Sequence, residues 1–218
     1  MTGAPVRLYQ FPIAPNPTKV RVYLAEKGIE IEQVTVNLPR GEQRSAEHRA
    51  RNPLGKLPVL ELDDGSFLTE SLAIIEYFEE LHPEPPMLGR TPLERARVRE
   101  LERLADLGVL LRVGRIVHAT RSPLGQPPNP AIAVEERRLL PGALAVLEAR
   151  IGDAPFLAGE RPTVADCTLF AAFGFARFGG VELDPACARL LRWYERFGQR
   201  PSARAEQQRV ASLLGAAP

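Results

Sequence analysis

The chain has 218 residues, 44% apolar and 25% charged with a formal net charge of +1, enough for one large core or two small ones. Its interspersed charges leave no basic face for nucleic acid or an anionic membrane, and no apolar run approaches the about 18 residues that span a bilayer. Met1 to Pro12 lacks a basic stretch leading into an apolar one, and the only cysteines, Cys167 and Cys187, form no C-x-x-C pair; a secretory signal, a disulfide scaffold and a metal cluster are not expected, and cytoplasmic localisation is.

In chain order, Val6 to Phe11 alternates at period two and predicts a strand. Asn16-Pro17-Thr18 predicts an N-cap followed by a proline at the first helical position. From Lys19 to Lys27, Val20, Tyr23, Leu24 and Lys27 fall at helical spacing, and Gly28 supplies a stop. Glu32 to Val36 predicts a second strand. Leu57 to Leu62 and Ser66 to Leu68 flank Asp63-Asp64-Gly65, a hairpin turn signal, and Ser71 to Leu81 is an amphipathic helix. The order β-α-β-(α)-β-β-α predicts a mixed sheet with helices packed on it.

Pro83, Pro85, Pro86, Gly89 and Pro92 then punctuate the chain as a linker would. Only helices are expected beyond it: residues 93–120, 131–151 with a bend at Pro141, 163–178, 185–199 and 202–214. The expected organisation is an α/β domain over residues 1–82, a linker over 83–92 and an all-helical domain over 93–218.

Chemistry concentrates in the first domain. Asn52-Pro53-Leu54-Gly55-Lys56-Leu57-Pro58 leads into the third strand, where a proline brings no N–H to the ladder. A cis bond at Pro58 would turn the Leu57 N–H and C=O outward, ready to pair with a peptide-like ligand. Glu70 and Ser71 stand where the fourth strand gives way to a helix. The N–H groups there can take a carboxylate and Glu70 can accept from an ammonium, which together suit an α-amino-acid end. Gln43 and Lys56 could hold a second carboxylate, or be ordinary solvated side chains. Thr163 to Asp166 is a capping box with Asp in place of Glu and reads as structural. Cys167 reads as a buried thiol, His118 as a packed or solvated helix residue, and Trp193 and Tyr194 as core.

These residues resemble the glutathione S-transferases, in particular the bacterial and theta/zeta-like branch that relies on serine or cysteine. The shared markers are Leu8-Tyr9-x-x-Pro12, Lys19-Val20-Arg21, Leu24-x-Glu26-Lys27-Gly28, the Asn52 to Pro58 run, Glu70-Ser71-x-Ala73-Ile74 and Pro162-Thr163-x-Ala165-Asp166. They span essentially the whole chain in order. The resemblance implies a thioredoxin-like N-terminal domain and an all-helical C-terminal domain. It implies glutathione as co-substrate: Glu70 and Ser71 on the γ-glutamyl end, Leu57 backbone on the cysteinyl unit with Pro58 cis, and Gln43 and Lys56 near the glycine carboxylate. A detoxifying homodimer is implied, conjugating glutathione to a small hydrophobic electrophile seated around Val109, Arg112, Val113 and Ile116.

One position departs from the family. Aligned on Lys19-Val20-Arg21, the activating serine or cysteine falls on Ala14, which cannot donate. Tyr9 is one residue from the position a tyrosine-type enzyme would use, so it points to the opposite face of its strand. Asn16 and Thr18, with the backbone N–H groups at the start of the first helix, are the remaining catalytic candidates. The alternatives to a transferase are a non-catalytic glutathione or hydrophobic-ligand binder and a protein-interaction module of the same fold.

Overall fold

The structure, a computed structural model, describes residues 6–215. Residues 1–5 of the stretch read for a signal, and the outer ends of both expected domain spans, lie outside the described residues.

Strands β1 (Arg7–Gln10) and β2 (Glu32–Thr35) run parallel and are joined by helix α1 (Pro15–Lys27), a βαβ unit. A short 3-10 turn (Glu42–Arg44) and helix α2 (Ala46–Arg51) lead to the antiparallel hairpin of β3 (Val59–Glu61) and β4 (Phe67–Thr69), followed by α3 (Ser71–Leu81). The strand order β2-β1-β3-β4 makes the mixed sheet that the element order predicted, in the thioredoxin-like arrangement that the resemblance implied. Leu8 and Leu60 bury into the main core with Val20, Tyr23, Ile74 and Ile75. Tyr9 lies on the other face, in a small cluster with Val36 and Val59, its hydroxyl donating to Glu61 at 2.7 Å. The one-residue offset does remove this phenol from the α1 side.

The second half is helical: α4 (Pro92–Arg103), a π-helical segment (Leu104–Leu110), α5 (Leu111–Arg121), α6 (Pro130–Ile151), α7 (Val164–Gly179), α8 (Ala188–Phe197) and α9 (Pro201–Gly215). The helix expected over 93–120 is thus one rod carrying a π interruption, its backbone right-handed at both junctions. Gly108 sits within the interruption because α6 passes close by; a Cβ there would lie 2.8 Å from that of Ala143.

The two halves share a continuous core, and α1 carries charge into their junction. Arg21, 3% exposed, donates from Nε to Glu206 on α9 at 2.9 Å and from Nη1 to Gln10 at 2.6 Å. The Lys19 ammonium lies between Glu102 at 3.5 Å and Asp106 at 3.3 Å, and Glu26 pairs with Arg200 at 2.7 Å. Buried charges repay their desolvation only with every partner in place, so these pairs tie α1 to one register against the helical half.

At the start of α7, Asp166 is fully buried and accepts from Leu157 N–H, both the N–H and the hydroxyl of Thr163, and Trp193 Nε1–H, all at 2.8–2.9 Å. The capping role predicted for Thr163 and Asp166 is built, and extends to Trp193. Cys167 is buried in the same helix, where burial pushes its thiol well above the ordinary range, and Trp193 is fully buried.

Candidate functional site

A cleft of about 430 Å³ opens where the sheet half meets α5. One wall is the start of α1, with Ala14 and Asn16; a second is Gln43, Arg44 and Arg49; a third is the loop Leu54–Leu57. His118 and the Leu124–Gln126 loop close it from the helical half.

Local structure explains these positions. The Leu57-Pro58 bond is cis, and Leu57 falls outside the β3 ladder, with no backbone partner among the described residues. The loop before it is pinned at the Lys56 carbonyl, which accepts from Asn52 Nδ2 at 3.1 Å and lies 3.1 Å from His48 Nε2. Gly55 is needed there twice over: its φ is +61°, and a Cβ would come within 2.8 Å of the Gln43 carbonyl oxygen. Gln43 is 5% exposed and its buried Oε1 has no hydrogen-bond partner. Lys56 is exposed and forms no ion pair among the described residues.

Glu70 and Ser71 stand at the β4–α3 corner. Glu70 is the only non-glycine with positive φ (66°) among the described residues, a conformation that costs a β-carbon residue energy and is common at ligand-holding turns. Ser71 is buried, and its hydroxyl donates to Asn16 Oδ1 at 3.3 Å, joining this corner to the cleft wall.

Two expectations about α1 need correcting. The helix begins at Pro15 with Ala14 as its N-cap, so Asn16 is not the cap; its oxygen takes the Ser71 hydroxyl instead. Pro15 supplies the fixed first-turn φ that the sequence reading assigned to Pro17. Thr18 does not reach the cleft. Its hydroxyl accepts from Arg21 Nη2 at 2.9 Å, and the residue lines a different cavity.

His118, read from the sequence as a packed or solvated helix residue, is packed on α5 against Phe175. It is half-buried, Nδ1 lies 2.8 Å from Ser122 Oγ, and burial lowers its pKa below the usual 6.5. It faces the cleft that Ala14 lines. The assignment of Val109, Val113 and Ile116 to an electrophile site is overturned: all three are fully buried core, and Arg112 is taken by Glu136 at 3.0 Å.

The apolar cavity lies elsewhere, a groove of about 1060 Å³ between α7, α8 and α9. Its walls include Phe170, Phe175, Phe178, Tyr194 and Val210, and it reaches the first half at Ile13. Cleft and groove abut at two points: Ile13 precedes Ala14, and the His118 ring tilts against Phe175 at 6.3 Å between centroids.

A thioredoxin-like domain with a cis-proline loop, joined to a helical domain across an open cleft, defines the class of the protein. Two family models match the chain, "Glutathione S-transferase, N-terminal domain" over residues 8–86 and "Glutathione S-transferase, C-terminal domain" over residues 130–196. Glutathione S-transferase 2 of Saccharomyces cerevisiae is 32% identical, covering 90% of this chain and 87% of the relative. Maleylacetoacetate isomerase of Pseudomonas aeruginosa is 36% identical, covering 82% and 85%. The crystal structure of a Methylobacterium radiotolerans glutathione S-transferase, in complex with glutathione sulfonate, superposes with a TM-score of 0.79 at 31% identity over 92% and 93% of the two chains. The chain belongs to the glutathione S-transferase superfamily.

Proposed function

We propose that the protein binds glutathione in the cleft and transfers its thiol to a hydrophobic electrophile seated in the adjoining groove. The observation that carries this reading is that the Leu57 backbone and the Gln43 Oε1, both without partners among the described residues, meet on one cleft beside the hydrogen-bonded Asn16–Ser71 corner. The γ-glutamyl end belongs at Glu70 and Ser71, whose helix N-terminus favours its carboxylate. The cysteinyl unit pairs with Leu57 beside Pro58. The glycine carboxylate lies toward Lys56 and Gln43, with Arg44 and Arg49 on the same wall. Ser71→Ala is expected to weaken glutathione about tenfold in a calorimetric titration, the size of one lost hydrogen bond to a charged group. Failure of the wild-type protein to bind glutathione would sink the reading.

Because Ala14 has no proton to give or take, thiol activation falls to His118. In the tautomer whose Nδ1–H donates to Ser122 Oγ, Nε2 carries the lone pair, and burial favours the neutral ring, which can accept the thiol proton directly or through one water. The α1 N-terminus adds a field that favours the thiolate, and Asn16 stays within this wall as a sulfur-side donor. The second reading is a non-catalytic glutathione binder, favoured by Ala14 itself. Tight glutathione binding with no turnover across several electrophiles would select it.

The same reading includes a cytoplasmic homodimer acting in detoxification. Free buried thiols at Cys167 and Cys187 suit a reducing compartment. Exposed Leu93 (60%), Leu107 (52%) and Leu111 (50%) on the α4–α5 rod give a partner apolar surface to cover. Sedimentation velocity should find twice the chain mass; a monomer at micromolar concentration would remove the dimer from the proposal.

A further inference from the structure

The groove between α7, α8 and α9 carries two polar donors that bond to no described residue. The Tyr194 ring is fixed by its neighbours, with Phe173 at 5.4 Å and Phe170 at 5.5 Å between centroids. It lines the groove, and its hydroxyl makes no hydrogen bond to any described residue. The hydroxyl is open to the groove, where a bound molecule can replace water as its partner. Across from it α7 carries Gly174, where a Cβ would stand 3.8 Å from the Tyr194 oxygen, so the absence of a side chain keeps that space open.

Arg177 follows Gly174 by three residues, on the same face of α7. It lines the groove and forms neither an ion pair nor a hydrogen bond among the described residues. Burial raises the Tyr194 pKa, and the charge acting against that rise is Arg177's. Two acidic residues also line the groove. Glu206 is committed to Arg21 and Arg209, which leaves Glu195 at the exposed rim.

We infer that the groove selects a flat, conjugated molecule bearing an anionic oxygen group, held edge-on by the Tyr194 hydroxyl and the Arg177 guanidinium. This rests on the reading of the groove as the electrophile site. The aromatic walls at Phe170, Phe175 and Phe178 take the rings by offset or edge-to-face contact. At about 1060 Å³ the space suits a molecule of two or three rings. A carboxylate fits the pair because the phenol O–H and the guanidinium can both donate to it, and the guanidinium can only donate.

The test compares two fluorescent probes of similar shape, anionic 8-anilinonaphthalene-1-sulfonate and uncharged N-phenyl-1-naphthylamine, titrated without glutathione. Wild type is expected to prefer the anion, and Tyr194→Phe and Arg177→Gln should each cut that preference about five- to tenfold, the worth of one charge-assisted bond. Tyr194→Phe keeps the packed ring, and Arg177 is exposed, so neither substitution asks the fold to change. In turnover, Arg177→Gln should raise KM for a carboxylated aromatic electrophile more than for its uncharged analogue. Equal binding of both probes by wild type, a preference for a cationic probe, a preference that survives both substitutions, or an unmoved KM ratio overturns the inference. Absence of glutathione binding would defeat the proposed function while leaving the probe titration readable.

Discussion

Asp166→Ala is expected to cost the protein about 4 kcal/mol or more, a large share of the stability of an ordinary domain. The carboxylate accepts from the Leu157 N–H, the Thr163 N–H, the Thr163 hydroxyl and the Trp193 indole, and each is buried. Alanine leaves every one of these donors without a partner, at about 1 kcal/mol apiece at the least. Trp193 is the only tryptophan, so urea unfolding followed by its fluorescence reads both the lost bond and the loss of stability. A midpoint within the error of wild type would show that water replaces the carboxylate and that the buried cap is not needed.

The same residue predicts a pH dependence. Burial pushes its pKa up from 3.8 to about 6, against the four donors that pull it down. A folded-state pKa above the unfolded value means the folded protein holds the proton more tightly. Its contribution is therefore full below pH about 4 and declines as pH rises through about 6. The stability gap between wild type and Asp166→Ala should be wider at pH 4.5 than at pH 7, a difference in which the other carboxylates cancel. Function follows because α7 supplies Phe170, Gly174, Phe175 and Phe178 to the groove. A start of α7 that frays loosens the wall against which an electrophile would pack.

Local chemistry made much of this fold legible from sequence. The capping box needs only Thr163 and Asp166 at their spacing, and Tyr9 could be assigned its strand face from period two alone. The Pro58 loop and the Glu70–Ser71 corner were visible because residues with few conformational alternatives mark them. What stayed hidden depends on partners far along the chain. Asn16 reads as a cap until Ser71, 55 residues away, supplies a hydroxyl to its oxygen; Thr18 reads as a free donor until Arg21 takes it on the way to Glu206. The apolar stripe Val109, Val113, Ile116 gives a helix face, but periodicity cannot say whether that face meets a cavity or another helix. Here it meets the core. His118 follows buried Val117 by one position, a turn of about 100° that moves it off the stripe and into the cleft. The groove draws on three helices and on Ile13, residues that no local window brings together.

His118→Ala is expected to lower kcat/KM for glutathione conjugation about a hundredfold, the lower end of what a positioned general base contributes. Glutathione affinity should change far less, because the proposed contacts to the tripeptide lie at Ser71, Leu57 and Lys56. A matching loss in binding would mean that His118 shapes the cleft and does not act on the sulfur. The pH profile distinguishes the two roles further. Burial lowers the His118 pKa below 6.5, so the ring is neutral and base-competent at pH 7 and becomes protonated only in more acidic solution. Wild-type kcat/KM should therefore show an acidic limb displaced below the ordinary imidazole range, and the alanine variant should lack that limb. Ser122→Ala removes the partner of Nδ1 and should give a smaller loss with the limb retained, since the imidazole stays but is free to turn. An unchanged kcat/KM in His118→Ala would return thiol activation to Asn16, which lines the same cleft wall as Ala14, and to the backbone N–H groups of α1.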